Sequence, residues 1–208
     1  MEEDKIKENE IKIILLGDSG VGKTSLINIA LGQKFSDLML TTLNLSYSVK
    51  KVFINDKEYK LNLWDTIGQE RYQQLTKLFY KNSKIVIYVY ECIKRKTFES
   101  LNYWIKDVES NIGNNYIKGV VANKIDLYVN EEVKSQEGEE FAEKIDAQFL
   151  EFSAKENNPQ IFINFIVDLS KKYLSSKNDD KHNNLNDQGR VTLSIDDTNN
   201  NKKKKCCQ

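Results

Sequence analysis

The chain has 208 residues, 39% apolar and 30% charged, enough for one domain with an ordinary core plus a small extra segment. Its 31 basic and 31 acidic residues cancel, which argues against a histone-like polyanion binder. One His (His182) and three Cys without framework spacing exclude His-based zinc chemistry, a Ser-His-Asp triad and a disulfide scaffold, and suggest a reducing compartment. The opening MEEDKIKENE is too acidic and polar for a signal peptide, and Glu2 argues against N-myristoylation. Residues 1–8 are expected to be a flexible N-terminus. Residues 11–16 are an apolar run followed by a glycine-rich turn, and residues 23–31 read as a helix with Gly32 as its C-terminal cap. Residues 46–54 and 58–64 flank Asn55-Asp56-Lys57 and predict an antiparallel hairpin, in which Tyr59, Leu61 and Leu63 alternate with Lys60 and Asn62. Residues 85–90 are continuously apolar, like a strand covered on both faces. This longest apolar run falls far short of the ~20 residues of a membrane helix. Residues 97–112 read as a helix with Phe98, Leu101, Trp104, Ile105 and Val108 on one face. A strand at 117–122, a helix at 133–145, a short strand at 149–152 and an amphipathic helix at 161–174 follow. Alternating βα units predict an α/β fold: a mostly parallel six-stranded sheet with one antiparallel strand and helices on both faces. Ligands bind such sheets at the carboxyl ends of the strands.

The loops after those strands carry the chemistry. Gly17-Asp18-Ser19-Gly20-Val21-Gly22-Lys23-Thr24 fits the P-loop pattern and lies between a predicted strand and helix. Its glycines let backbone N–H groups turn onto phosphate oxygens, and the helix start adds its positive end. Lys23 supplies charge to the β- and γ-phosphates, and the Thr24 hydroxyl suits Mg²⁺. In Trp64-Asp65-Thr66-Ile67-Gly68-Gln69-Glu70, Asp65 ends a strand, where a carboxylate can hold Mg²⁺ through water. Gly68 permits close approach to a γ-phosphate, and Gln69 can orient an attacking water. In Asn123-Lys124-Ile125-Asp126, the Asp126 carboxylate can accept from N1 and N2 of guanine, a donor pair that adenine lacks. The Lys124 stem can lie over the base. In Ser153-Ala154-Lys155, the Ala154 N–H can donate to the guanine carbonyl.

In order and spacing these motifs resemble the Ras superfamily of small GTPases, and within it the Rab branch, across roughly residues 9 to 174. The segments KLNLW (60–64), RYQQLT (71–76), FYKNS (79–83) and YVYECI (88–93) are also Rab-like. The resemblance implies a P-loop NTPase fold, GTP/GDP and Mg²⁺ as ligands, and slow GTP hydrolysis that switches effector recruitment in vesicle trafficking. It makes Gln69 the catalytic residue and adds Ser25 to the nucleotide set. Phe35 would pack edge-on against the guanine, and Thr42 would close on Mg²⁺ and the γ-phosphate with Thr24 and Asp65. Switches would lie at about residues 36–48 and 65–81. Implied partners are an exchange factor, a GTPase-activating protein, a GDP-dissociation inhibitor, an escort protein and effectors on the switches. A monomer without nucleic-acid binding is expected. The chain departs from the family pattern at Leu43-Asn44-Leu45-Ser46-Tyr47, where Rabs usually read I-G-V-D-F, and at Ile67, which replaces the usual Ala.

Residues 175–208 hold only six apolar residues and are expected to be a disordered tail. It ends in Lys202 to Lys205, Cys206, Cys207 and Gln208. The cysteine pair resembles Rab ends that carry two geranylgeranyl chains, and the lysines favour an anionic leaflet. These features imply the cytoplasmic face of an intracellular membrane, with a cytosolic pool. Two readings stay open here, a hydrolysing switch or a GTP-binding scaffold: Gln69 favours the first and Ile67 the second. An ATP-using P-loop enzyme is disfavoured by Asp126. Arg71 and Arg95 are the candidates for a built-in arginine finger.

Overall fold

The computed structural model describes residues 9–35, 46–66 and 79–187. Among the described residues six strands run in chain order: β1 (Glu10–Leu16), β2 (Ser46–Ile54), β3 (Lys57–Asp65), β4 (Ile85–Glu91), β5 (Ile117–Asn123) and β6 (Ala147–Phe152). They form one sheet ordered β2-β3-β1-β4-β5-β6, in which only the β2–β3 pair is antiparallel. The architecture is the one expected. Helices α1 (Lys23–Ala30), α2 (Arg95–Glu99), α3 (Leu101–Ile112), α4 (Ser135–Lys144) and α5 (Pro159–Asp187) connect or follow the strands, with a 3₁₀ turn at Ile125–Asn130.

Strand side chains alternate between faces, so β1 and β4 each feed two cores. Ile11, Ile13 and Leu15 join Ile85, Ile87 and Val89 against Leu26 of α1 and Phe162, Ile166 and Leu169 of α5. Ile14 and Leu16 join Val86, Tyr88 and Tyr90 against Leu101, Trp104, Ile105 and Val108 of α3. The register matches this division, with Ile13 beside Ile85 and Ile14 beside Val86. Each such side chain contributes roughly 1.5–3 kcal/mol by leaving water. Every residue of β4 is buried, which is why its sequence reads as an unbroken apolar run. These two cores hold the strand ends in fixed relation.

Local chemistry sets most element ends. The Asn55-Asp56 turn has φ of 49° and 59°, the left-handed pair that a two-residue hairpin favours. At the end of α1, Gly32 N–H donates to Ile29 O at 3.0 Å and Gln33 N–H to Asn28 O at 2.9 Å, a Schellman closure. The single helix expected over 97–112 is divided at Ser100, whose hydroxyl donates back to Lys96 O at 2.8 Å. Helix α4 starts at Ser135 rather than at Val133. The Val133 N–H is committed to Cys92 O at 3.0 Å, and Glu137 accepts from the Lys134 N–H at 3.3 Å.

Residues Met1–Ser175 form one compact unit and Ser176–Gln208 a second. Helix α5, expected to close at Leu174, continues to Asp187. Residues 175–187 contain no Pro or Gly, and extending an established helix needs only one residue fixed per hydrogen bond gained. Residues 188–208 lie outside the described residues. Among the described residues no helix is long and apolar enough to cross a membrane.

Candidate functional site

Strands β1, β3, β5 and β6 all run parallel, so their carboxyl ends, and the loops that begin there, share one end of the sheet. The first loop carries the chain from β1 to α1 through Gly17 and Gly22, with φ of 145° and 99°. A Cβ on Gly17 would collide with Val89 O, and one on Gly22 with the Asn123 side-chain amide. Both glycines are therefore required by close approach as well as by backbone conformation. Helix α1 begins without a side-chain cap at Gly22, so its positive end faces the loop.

Lys23 is 5% exposed, and its Nζ donates to Gly17 O at 2.7 Å and Asp18 O at 2.8 Å. Burial lowers its pKa to about 8, against the opposing pull of Asp65 and Asp18. A buried ammonium held mainly by carbonyls is short of counter-charge, which a polyphosphate would supply. The Thr24 hydroxyl donates to Asp65 Oδ2 at 2.7 Å, and Asp65 is buried at the end of β3. A hydroxyl and a carboxylate side by side form the hard oxygen set that suits Mg²⁺. Thr66 fixes the next position by donating to Leu15 O at 2.6 Å.

On the base side, Asn123 is 1% exposed and joins three of the loops. Its Nδ2 donates to Val21 O at 2.8 Å, and its Oδ1 accepts from the Ala154 N–H at 3.2 Å. The Ala154 N–H, expected to face a base carbonyl, is thus held by Asn123. Asp126 Oδ1 accepts from Ser153 Oγ at 2.6 Å, and that hydroxyl accepts from the N–H groups of Lys155 and Glu156 at 3.2 and 3.1 Å. Ser153 is therefore an orienting group for Asp126. Gly20, Gly22, Ser25 and Phe35 meet Asn123, Lys124, Asp126, Ala154 and Lys155 around a cavity of about 300 Å³. Leu127, which sequence reasoning missed, also lines it.

Trp104, read from the sequence as packing alone, also donates from Nε1 to Asp18 Oδ1 at 3.0 Å. This draws the one carboxylate of the P-loop toward α3. Arg95 is not available as an internal finger. Its guanidinium spans both Glu137 oxygens at 3.0 and 2.7 Å and reaches Glu132 O at 2.6 Å. Thr42, Ile67, Gly68, Gln69, Arg71, Cys206 and Cys207 lie outside the described residues.

The Ras family profile matches residues 12–171. The Ras-related protein RabC of Dictyostelium discoideum is 39% identical over 189 residues, 87% of this chain and 95% of that protein. Rab-8B of the same organism is 32% identical over 83% of this chain and 86% of its own length. Human Rab-12 is 34% identical over 78% of this chain and 68% of its own length. The chain belongs to the Ras family, as a Rab-like small GTPase that binds guanine nucleotide, hydrolyses GTP and serves vesicle trafficking.

Proposed function

We propose that this Rab-like GTPase is a Mg²⁺-dependent switch, anchored by lipid at its C-terminus, whose nucleotide lies across the loops described above. The observation that carries the reading is the division of labour along them. Lys23, Thr24 and Asp65 form a cationic and hard-oxygen end, and Asp126, oriented by Ser153, stands at a cavity at the other. Lys23 would exchange its carbonyl partners for β- and γ-phosphate oxygens, which restores counter-charge to its ammonium. Asp126 would accept from N1 and N2 of guanine while Ser153 Oγ keeps its bond to Oδ1. Phe35 and the Lys124 stem would flank the base. Bound Mg²⁺ would neutralise charge developing between the β- and γ-phosphates. Its ligands from this chain would be Thr24, Asp65 and Thr42. Gly68 would approach the γ-phosphate through its N–H, and Gln69 would orient the attacking water. With Arg95 engaged elsewhere, an activating protein would supply the stabilising arginine, typically worth ~10³–10⁵ in rate.

Regulators and effectors in general follow from the family. The finer reading adds an exchange factor, a GTPase-activating protein, a GDP-dissociation inhibitor and an escort protein, all acting on a monomer. Residues 9–174 would be the G domain, and residues 175–208 the tether carrying two geranylgeranyl groups at Cys206 and Cys207. In this reading the protein would work on the cytoplasmic face of an intracellular membrane, with a cytosolic pool.

Single-turnover hydrolysis of preloaded GTP tests the nucleotide part. Phosphate release in Mg²⁺ should fall sharply in Gln69→Leu, and EDTA should speed nucleotide dissociation. Equal release by wild type and Gln69→Leu, or dissociation indifferent to EDTA, would refute it.

A further inference from the structure

Glu91 is the last residue of β4, only 6% exposed, and a carboxylate so buried needs a charged partner. The β4–β5 register sets Glu91 beside Asn123, so the chain leaves β5 directly alongside it. The next residue, Lys124, turns its Nζ back onto Glu91 Oε2. The other oxygen lies 4.0 Å from Lys94 Nζ, which is on a 58% exposed side chain. Glu91 is itself held, since its N–H donates to Thr97 Oγ1 at 3.1 Å. Its neighbour grips the same turn: the Cys92 N–H donates to Asn123 O at 3.0 Å, and Cys92 Sγ donates to Lys124 O at 3.4 Å. Lys124 adopts φ 67° and ψ 32°, a left-handed conformation unfavourable for a residue with a Cβ. This turn leads the chain into Asp126, and Lys124 and Asp126 both line the cavity. A strained residue persists where its surroundings over-determine it, and here the surroundings are Glu91 and Cys92.

We infer that Glu91 is a positioning residue for guanine recognition. By pairing with the Lys124 ammonium it lays the lysine stem along the cavity wall and holds the left-handed turn that presents Asp126. The inference rests on the reading of this cavity as the guanine site.

The test is dissociation of tritiated GDP from the full chain, in wild type, Glu91→Gln, Glu91→Asp, Lys124→Met and the Glu91→Gln/Lys124→Met double variant. Glu91→Gln should release GDP about tenfold faster, the loss expected of one charge-assisted hydrogen bond. Glu91→Asp keeps the charge and should recover most of that loss. Lys124→Met keeps the stem and lacks the ammonium, so adding Glu91→Gln to it should produce no further acceleration. A general structural role would instead multiply the two effects. GDP release unchanged in Glu91→Gln, or accelerated by the same factor in both backgrounds, would overturn the inference alone. If wild type shows no preference for GDP over ADP, the reading of the cavity falls, and this inference with it.

Discussion

Replacing Asn123 by Ala should loosen nucleotide although, in this structure, the side chain bonds only other parts of the protein. The substitution removes a donor 2.8 Å from Val21 O and an acceptor 3.2 Å from the Ala154 N–H. The side chain is 1% exposed, so water cannot readily take over either bond. Each orphaned backbone group costs ~1–3 kcal/mol, about 2–6 kcal/mol for the two. The amide also packs where a Cβ on Gly22 would sit, so its loss leaves a gap at the start of α1. If half of the lower figure falls on the nucleotide complex, GDP release rises roughly fivefold, and the upper figure carries it past a hundredfold. The melting temperature should drop by roughly 5 °C or more. Asn123→Asp should be no milder, because it retains an acceptor for Ala154 but sets a buried carboxylate against Val21 O. Release of tritiated GDP and a thermal melt measure the two consequences separately. If Asn123→Ala melts early but releases GDP within about twofold of wild type, the side chain supports the fold and does not couple the loops.

Asp126→Asn should shift preference from guanine toward xanthine nucleotides, because the amide presents a donor where xanthine has an oxygen; unchanged GTP preference in a competition assay would count against this. The Lys23 pKa is about 8 in the fold against 10.5 in the unfolded chain, so between those values the unfolded chain binds more protons. Stability of the nucleotide-free protein from this group should therefore rise with pH through that window, by about 3 kcal/mol in all. Comparing urea unfolding of wild type and Lys23→Met at about pH 8 and about pH 10 isolates the effect, and a constant difference would contradict it. Either Cys206→Ser or Cys207→Ser should leave the protein largely cytosolic in cell fractionation, since one lipid chain binds reversibly. Unmodified thiols at both positions in membrane-bound native protein, read by intact mass, would exclude lipid anchoring.

What could be read from the sequence was the chemistry that is local in the chain. The P-loop spacing, the carboxylate ending β3 and the Asn123–Asp126 run each carry their meaning within a few residues. The strands were equally legible, because β1 and β4 bury both faces and read as apolar runs. Contacts between distant segments were not legible. The Trp104–Asp18 bond joins residues 86 apart in sequence, and an amphipathic helix gives no sign that one of its core residues will donate outward. Glu91 was visible only as part of a Rab-like segment, and its role depends on register with β5. The break at Ser100 was hidden because the apolar periodicity of 97–112 continues across it. The run of α5 to Asp187 was missed because a polar composition argues against burial but does not forbid helix.

The two tryptophans give the protein an optical consequence. Trp104, 3% exposed, bonds a carboxylate of the phosphate loop, while Trp64 stacks on Tyr47 at a centroid distance of 5.1 Å and meets Phe79 at a tilt at 5.6 Å, with the Lys12 ammonium 4.5 Å from its ring centroid. Indole emission responds to the charge and polarity around the ring, and these two rings report on different surroundings. Trp64→Phe would leave an emitter at the phosphate end, and Trp104→Phe one on the β2–β3 hairpin. Emission from the two single-tryptophan variants should therefore report on nucleotide exchange at the phosphate loop and at the hairpin separately, without a dye.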